Sequence, residues 1–255
     1  MKIALIQTTQ HWENPAANRN HFTEKINSIS EAVDLIVLPE MFTTGFSMQP
    51  NEVAEKMEGA TVSWMKSIAM ESQSALCGSA IIKENDHFYN RLLFVFPSGK
   101  IQHYDKRHLF TLAGEDQIYT AGKERLVVEY KGFKICPLVC YDLRFPVFSR
   151  NREDYDVLVY VANWPKPRVN AWDILLKARA VENMCYTVGV NRIGSDNNNH
   201  DYVGHSQVVD FLGNHLIAPQ ETEGVFITTL DKSRLEETRK KLAFLNDRDR
   251  FSLSD

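Results

Sequence analysis

Basic excess is missing from this chain: 29 lysines and arginines stand against 33 aspartates and glutamates in 255 residues, a formal net charge of −4. A general affinity for nucleic acid is therefore not expected. No apolar run approaches membrane-spanning length, so no membrane partner is expected either. Cysteine is scarce. Cys77, Cys136, Cys140 and Cys185 include no Cys-x-x-Cys pair and no accompanying histidine cluster, so no metal and no cofactor is expected. Reduced thiols in a cytoplasmic protein are the simplest reading. Met1-Lys2-Ile3-Ala4-Leu5-Ile6-Gln7 has too short an apolar stretch, and no small-residue cleavage site, for a signal peptide; it reads as a first strand. No linker, repeat or composition shift marks a boundary, so one domain over residues 1–255 is expected.

What is present is a long series of apolar strands. Ile3–Ile6, Leu35–Leu38, Ala75–Ile82, Leu92–Phe96, Ile135–Cys140, Val157–Val161, Tyr186–Val190, Val203–Leu212 and Val225–Leu230 are nearly continuous in apolar residues, as strands covered on both faces are. Between them, Asn18–Ala32, Thr61–Ser72 and Asn170–Met184 carry apolar residues at helical spacing. Pro97-Ser98-Gly99-Lys100 and Asp210-Phe211-Leu212-Gly213-Asn214 read as hairpin turns. The segment after Asp231 is either a helix packed on the core or an arm reaching a partner subunit. The fold class is α/β: two sheets with helices on their outer faces.

Three strand ends carry chemistry. Asp34-Leu35-Ile36-Val37-Leu38-Pro39 leads to Glu40, Lys100–Asp105 leads to Lys106, and Lys134–Val139 leads to Cys140. Amide hydrolysis by a thiol needs a base for the thiol proton, a stabiliser for the oxyanion and an acid for the leaving amine. Glu40 suits the first and third tasks. A fixed Lys106 ammonium would face the oxyanion and depress the thiol pKa, and the backbone N–H of Tyr141 is a natural second donor. His103 and His108 flank Lys106 and compete for its role. Taken singly, a cysteine is more often inert packing, a glutamate after a strand a solvated loop residue, and a lysine beside Arg107 surface charge. Their shared strand-end context favours one reacting centre.

At these residues the chain resembles the nitrilase superfamily of carbon–nitrogen hydrolases. The resemblance covers nearly the whole length and is anchored at Leu38-Pro39-Glu40-Met41-Phe42, Tyr104-Asp105-Lys106-Arg107-His108-Leu109-Phe110 and Val139-Cys140-Tyr141-Asp142-Leu143-Arg144-Phe145-Pro146. It implies a four-layer α-β-β-α sandwich, a homodimer, and a catalytic triad of Glu40, Lys106 and Cys140. It further implies a second glutamate, Glu115, ahead of Ala121-Gly122, that orients Lys106 or the substrate. Ala162-Asn163-Trp164-Pro165 would line the pocket, Asp142 and Arg144 would brace the nucleophile loop, and Arg179 with Glu182 would form a structural pair.

Glu40-Met41-Phe42-Thr43-Thr44-Gly45-Phe46-Ser47-Met48 is most similar to the ω-amidase branch. The resemblance thus implies a small-molecule amide substrate, the terminal amide of a 2-oxo dicarboxylic acid such as 2-oxoglutaramate or 2-oxosuccinamate, cleaved through a cysteine thioester. Its distal carboxylate calls for a cation or donors, and Arg168 and Tyr202 are the candidates, with Tyr141 and Trp164 also against the substrate. N-carbamoyl amino acid hydrolysis and nitrile hydrolysis use the same triad and stand as alternatives, as does a non-catalytic interaction protein that keeps the fold.

Overall fold

Alternation along the first strands sets the architecture of the computed structural model, which describes residues 1–253; the last two residues of the expected 1–255 domain lie outside the described residues. In β1 (Lys2–Gln7), Ile3 and Leu5 enter one apolar cluster while Ala4 and Ile6 enter another. The same split recurs in β2 (Leu35–Val37), β3 (Ala75–Glu84) and β4 (His87–Val95): Leu35, Cys77 and Phe94 face one way, Ile36, Leu76 and Leu93 the other. Successive side chains of a strand point to opposite faces, so each of these strands feeds two cores.

Two six-stranded sheets result. With β5 (Ile101–Asp105) and β14 (Gly224–Thr229), the first runs β14-β1-β2-β3-β4-β5. The second contains β6 (Val128–Tyr130), β7 (Phe133–Val139), β8 (Val157–Ala162), β9 (Tyr186–Asn191), β12 (Gln207–Val209) and β13 (His215–Ile217) in the order β13-β12-β9-β8-β7-β6. A small hairpin of β10 (Ile193–Ser195) and β11 (Asp201–Val203) stands apart from both. The inner faces meet in one cluster that joins Ile3, Leu35 and Phe94 to Ile135, Val159 and Val188. Helices α1 (Pro15–Asn27) and α3 (Ala60–Ser72) cover the outer face of the first sheet through Phe22, Ile26, Val62 and Met65. On the second sheet, α5 (Val169–Asn183) lays Trp172 and Leu176 so close to β9 that a Cβ on Gly189 would sit 2.5 Å from Leu176. The one-turn helices α2 (Pro50–Val53) and α4 (Pro146–Ser149) join these layers to loops. The layers are those of the expected α-β-β-α sandwich. No described helix is long and apolar enough to cross a membrane.

Two local expectations shift, and one open choice is settled. The first helix begins at Pro15 rather than Asn18, because the Asn14 side chain accepts from the Ala17 N–H and Pro15 needs no donor at the first position; it ends at Asn27. The run Val203–Leu212 is not one strand. Gly204 and His205 take left-handed φ values of 76° and 60°, and a Cβ on Gly204 would lie 2.2 Å from the Gln7 side chain, so the chain bends there. The segment after Asp231 forms α6 (Lys232–Leu242), capped by the Asp231 side chain and packed through buried Leu235.

The strand pairing also sets where the site forms. β1, β2 and β3 run parallel, as do β7, β8 and β9. Glu40, Cys140 and Asn163 all follow the carboxyl ends of such strands, where open α/β sheets gather their functional groups.

Candidate active site

Lys106 is fixed first by its backbone. Its N–H donates to the Asn90 carbonyl at 3.0 Å and its own carbonyl accepts from the Gly122 N–H at 3.0 Å. Gly122 is obligatory there, since a Cβ would lie 2.0 Å from the Asp105 carbonyl oxygen. The side chain then runs into the interior with 1% exposure, under the ring of Phe46. Its ammonium donates to Glu40 Oε1 at 2.9 Å and to both oxygens of Glu115, at 3.0 and 2.9 Å. Both carboxylates are fully buried. Burial opposes the charge on Lys106, but Glu115 and then Glu40 outweigh it, and its pKa is raised above the ordinary lysine value. The ammonium therefore persists. Burial also pushes the Glu115 carboxyl up, against the pull of Lys106.

Each oxygen of Glu40 has an assigned neighbour. Oε1 accepts from Lys106 and from Asn90 Nδ2 at 2.8 Å, and Oε2 accepts from the Asn163 backbone N–H at 2.8 Å. Its main-chain carbonyl is held by Asn163 Nδ2 and Gln10 Nε2. Asn90 also reaches Glu115 Oε1 at 3.3 Å, so one amide bridges both glutamates.

Cys140 leaves the end of β7 with a left-handed φ of 42° and opens a 3-10 helix over Cys140–Arg144. A non-glycine residue in that region is strained by about 1–3 kcal/mol, and surrounding contacts must hold it. Asp142 supplies them. It accepts from the Val139 N–H at 3.0 Å, the Tyr104 hydroxyl at 2.8 Å and the His108 N–H at 3.1 Å, and it contacts His108 Nδ1 at 2.7 Å. One buried carboxylate thus ties the cysteine turn to the lysine loop. The Tyr141 N–H lies in the first turn of that helix, where amides lack an intrahelical partner. Cys140 is the one cysteine of the four that is not fully buried. Burial first, and the Glu40 charge next, push its pKa well above the ordinary value, outweighing the lowering by Lys106. The expectation of a depressed thiol pKa is corrected accordingly: the resting sulfur is a neutral proton donor.

Glu40, Lys106 and Cys140 line one cavity of about 290 Å³, with Phe46, Phe110 and the β10–β11 hairpin above them. Tyr141, Trp164, Arg168 and Tyr202 line it too. Trp164 is buried, its indole N–H donating to the Arg168 carbonyl at 2.7 Å. The Tyr202 hydroxyl donates to Asp196 at 2.8 Å, and its ring lies against the Arg192 guanidinium. Arg168 is half-buried over the ring of Phe110. Glu115 stands behind Lys106 rather than on the cavity wall. His108 is committed to Asp142, and exposed His103 sits beside Arg91, Asp105 and Glu84, so neither takes the place of Lys106.

Arg144 departs from expectation. Asp142 braces the turn, but Arg144 is exposed, packs over the Trp164 ring and lines the cavity instead. The Arg179–Glu182 pair forms at 3.0 Å, with Arg179 also donating to the Leu143 carbonyl. Sequence reasoning missed Asn90 and Gln10. A polar residue inside the apolar run of β4 was the available signal for Asn90; nothing local marked Gln10.

The family model for carbon–nitrogen hydrolases matches residues 2–240. The chain is 43% identical over 254 residues to the ω-amidase YafV of Yersinia enterocolitica, covering 99% of this chain and 98% of that one. It is 32% identical over 250 residues to the 2-oxoglutaramate amidase of Bacillus subtilis, covering 96% of each. The crystal structure of XC1258 from Xanthomonas campestris, a CN-hydrolase superfamily protein with an arsenic adduct in its active site, superposes with a TM-score of 0.97 at 43% identity over 100% of this chain and 99% of that one. On its fold, on the match over residues 2–240 and on relatives aligned end to end, the chain belongs to the carbon–nitrogen hydrolase family.

Proposed function

We propose that this chain is an ω-amidase that releases ammonia from the terminal amide of a 2-oxo dicarboxylic acid monoamide, 2-oxoglutaramate or 2-oxosuccinamate. The observation that carries the chemistry is the Lys106 ammonium held between Glu40 and Glu115 at a cavity onto which Cys140 opens. Relatives named ω-amidase and 2-oxoglutaramate amidase support the substrate class.

The steps follow from the contacts. Glu40 takes the Cys140 proton as the sulfur attacks the amide carbon. The negative oxygen that forms meets Lys106 Nζ and the Tyr141 N–H, both fixed before substrate arrives. Collapse of the tetrahedral intermediate breaks the C–N bond, and Glu40 returns the proton to the departing ammonia. A thioester remains. Glu40 then takes a proton from water, the hydroxide adds to the thioester, and the thiolate leaves and is reprotonated, freeing the dicarboxylate. A neutral resting thiol suits this sequence, because the base need not already be protonated when substrate binds. Glu115 keeps Lys106 in place and charged. Trp164, Tyr202 and Arg168 form the substrate-facing wall.

The homodimer belongs to the same proposal. Ile174 and Val181 of α5 are about half exposed, as are Val147 and Leu212, and apolar side chains at this exposure suit a subunit contact. A thiol nucleophile works only when reduced, which suits the cytoplasm. The chain is taken to act as one domain, supported by a core that runs from Ile3 to Leu235.

The test is ammonia release from 2-oxoglutaramate by the wild type and by Cys140→Ala. The expected result is turnover in the first and none in the folded variant. Preferred turnover of a carbamoyl amino acid or a nitrile would replace the reading with one of the alternatives. Sedimentation velocity tests the dimer, with a single 255-residue mass arguing against it.

A further inference from the structure

The cations of this chain divide into those that are neutralised and those that are not. Arg91 meets Asp105 and Glu84, Arg179 meets Glu182, and Arg239 meets Asp156. Arg144 and Arg168 have no carboxylate partner among the described residues, although both line the cavity that holds Cys140. Each lies against an aromatic ring instead: Arg144 is 5.0 Å from the Trp164 centroid and Arg168 5.2 Å from that of Phe110. Stacking of this kind occupies the face of a guanidinium and leaves its N–H edge free to donate. Trp164 links the two, since its ring supports Arg144 and its indole N–H holds the Arg168 carbonyl.

The acids that line the cavity already accept hydrogen bonds. Glu40 is shared among Lys106, Asn90 and Asn163, and Asp196 accepts from Tyr202 and from the Asn198 and His200 backbone N–H groups. The cationic pair at the cavity whose guanidinium groups have no hydrogen-bond partner among the described residues is therefore Arg144 and Arg168. It is also at a useful distance. Arg144 follows Cys140 by four residues in a 3-10 helix, an axial rise of about 8 Å. A five-carbon substrate places its carboxylate four C–C bonds from the amide carbon, roughly 5 Å when extended, and the arginine side chain closes the difference.

We propose that Arg144 and Arg168 form a two-guanidinium anchor that selects 2-oxo acids and rejects the corresponding 2-amino acids. The inference rests on the ω-amidase reading and extends it. A 2-oxo acid end presents three oxygen acceptors and no donor, which two guanidinium edges can share. Glutamine carries an ammonium at the same carbon. That group offers only donors and would sit beside two unneutralised cations, so the common amino acid amides are excluded by repulsion as well as by lost contacts. The amide end of each molecule is identical, and discrimination comes wholly from the distal end.

The experiment measures kcat/KM for 2-oxoglutaramate, the monoamide of glutaric acid, pentanamide and L-glutamine in the wild type, Arg144→Gln and Arg168→Gln. In each variant the ratio of glutaric monoamide to pentanamide is expected to fall about thirtyfold, mainly through KM, the scale of one charge-assisted hydrogen bond lost. The preference for 2-oxoglutaramate over glutamine is expected to narrow as well. Equal proportional losses on charged and uncharged amides would overturn the anchor. A wild type that ignores 2-oxoglutaramate yet hydrolyses the other amides would sink the ω-amidase reading alone, and the charged-to-uncharged ratio would still decide the anchor. If no amide turns over, protection of Cys140 from iodoacetamide by 2-oxoglutarate decides it. Protection in the wild type that is lost in both variants supports the anchor, and an unprotected wild type overturns it. Arg144→Lys and Arg168→Lys keep stem and charge but lose the fork, and serve if a glutamine variant does not fold.

Discussion

Two buried ion clusters in this chain are built with opposite signs. Around Lys106, one cation meets two carboxylates; around Asp156, one carboxylate meets two cations, Lys232 and Arg239. The central groups are equally hidden, at 1% and 2% exposure. Their surroundings differ. The partners of Asp156 reach solvent and tie α6 to the second sheet, with the Lys134 N–H adding a third donor. The partners of Lys106 are wholly buried, and one of them, Glu40, shares a cavity wall with a thiol. Burial of charge alone is thus no mark of a reacting centre, because both clusters satisfy the rule that hidden charges are paired. The mark is a surplus of buried base beside a group with a proton to give. Glu40 is that surplus: Glu115 already neutralises Lys106.

Removing the central charge of each cluster is the sharpest way to break the comparison. Lys106→Met leaves two carboxylates buried without a cation and should cost about 3–5 kcal/mol of stability in urea titrations. It also removes one oxyanion donor, so kcat for ammonia release should fall about a thousandfold. A stable variant with near-normal kcat would refute the assignment of Lys106. Asp142→Asn comes next. An amide nitrogen would then face donors from Val139 and Tyr104, loosening the turn that holds Cys140. A drop of about a hundredfold in kcat with KM little changed is expected, the pattern of a misplaced nucleophile. Asp156→Asn should cost about 2–3 kcal/mol, since it strands Lys232 and Arg239, while kcat/KM stays within twofold. Comparable activity losses at Asp156 and Lys106 would erase the distinction drawn here.

How much of this was legible in the residues depends on the range of the interaction. Glu40, Lys106 and Cys140 stand at the ends of apolar runs, and a run's end is a local signal. The two cores of the first sheet follow from alternation, another local rule. Asn90 stands out locally as a polar residue in an apolar run, but its role does not, for the opposite reason. It bridges two glutamates only because β4 pairs with β5 in a register that sets Arg91 opposite Asp105 and brings Lys106 beside Asn90. Arg144 reads as a brace because it is a charge next to a nucleophile; the turn after Cys140 sets it over the Trp164 ring at the cavity, and no residue pattern encodes that direction. The bend at Gly204 has no local cause in its neighbours Val203 and His205. It is dictated by the Gln7 side chain, which belongs to the first strand of the chain.

The thiol's pKa was misjudged for the same reason, and it gives the smallest and most specific prediction. From the sequence, a lysine near a cysteine argues for a stabilised thiolate. In the fold, desolvation and Glu40 prevail over Lys106, so the folded thiol ionises above the ordinary value of 9.0 that an unfolded chain would show. A group whose pKa is raised by folding adds stability below the unfolded value and loses that contribution as pH rises, because the unfolded chain sheds its proton first. The stability difference between wild type and Cys140→Ala should therefore be flat up to about pH 8 and then decline, by at most ~1.4 kcal/mol per pH unit, as pH climbs through 9 and above. Thiolate absorbance near 240 nm should give the same answer without unfolding, with no contribution from Cys140 at pH 8. A difference that grows with pH, or a thiolate signal at neutral pH that Cys140→Ala removes, would mean that Lys106 prevails after all. The Lys106 cluster would then work by stabilising a preformed anion rather than by offering a base.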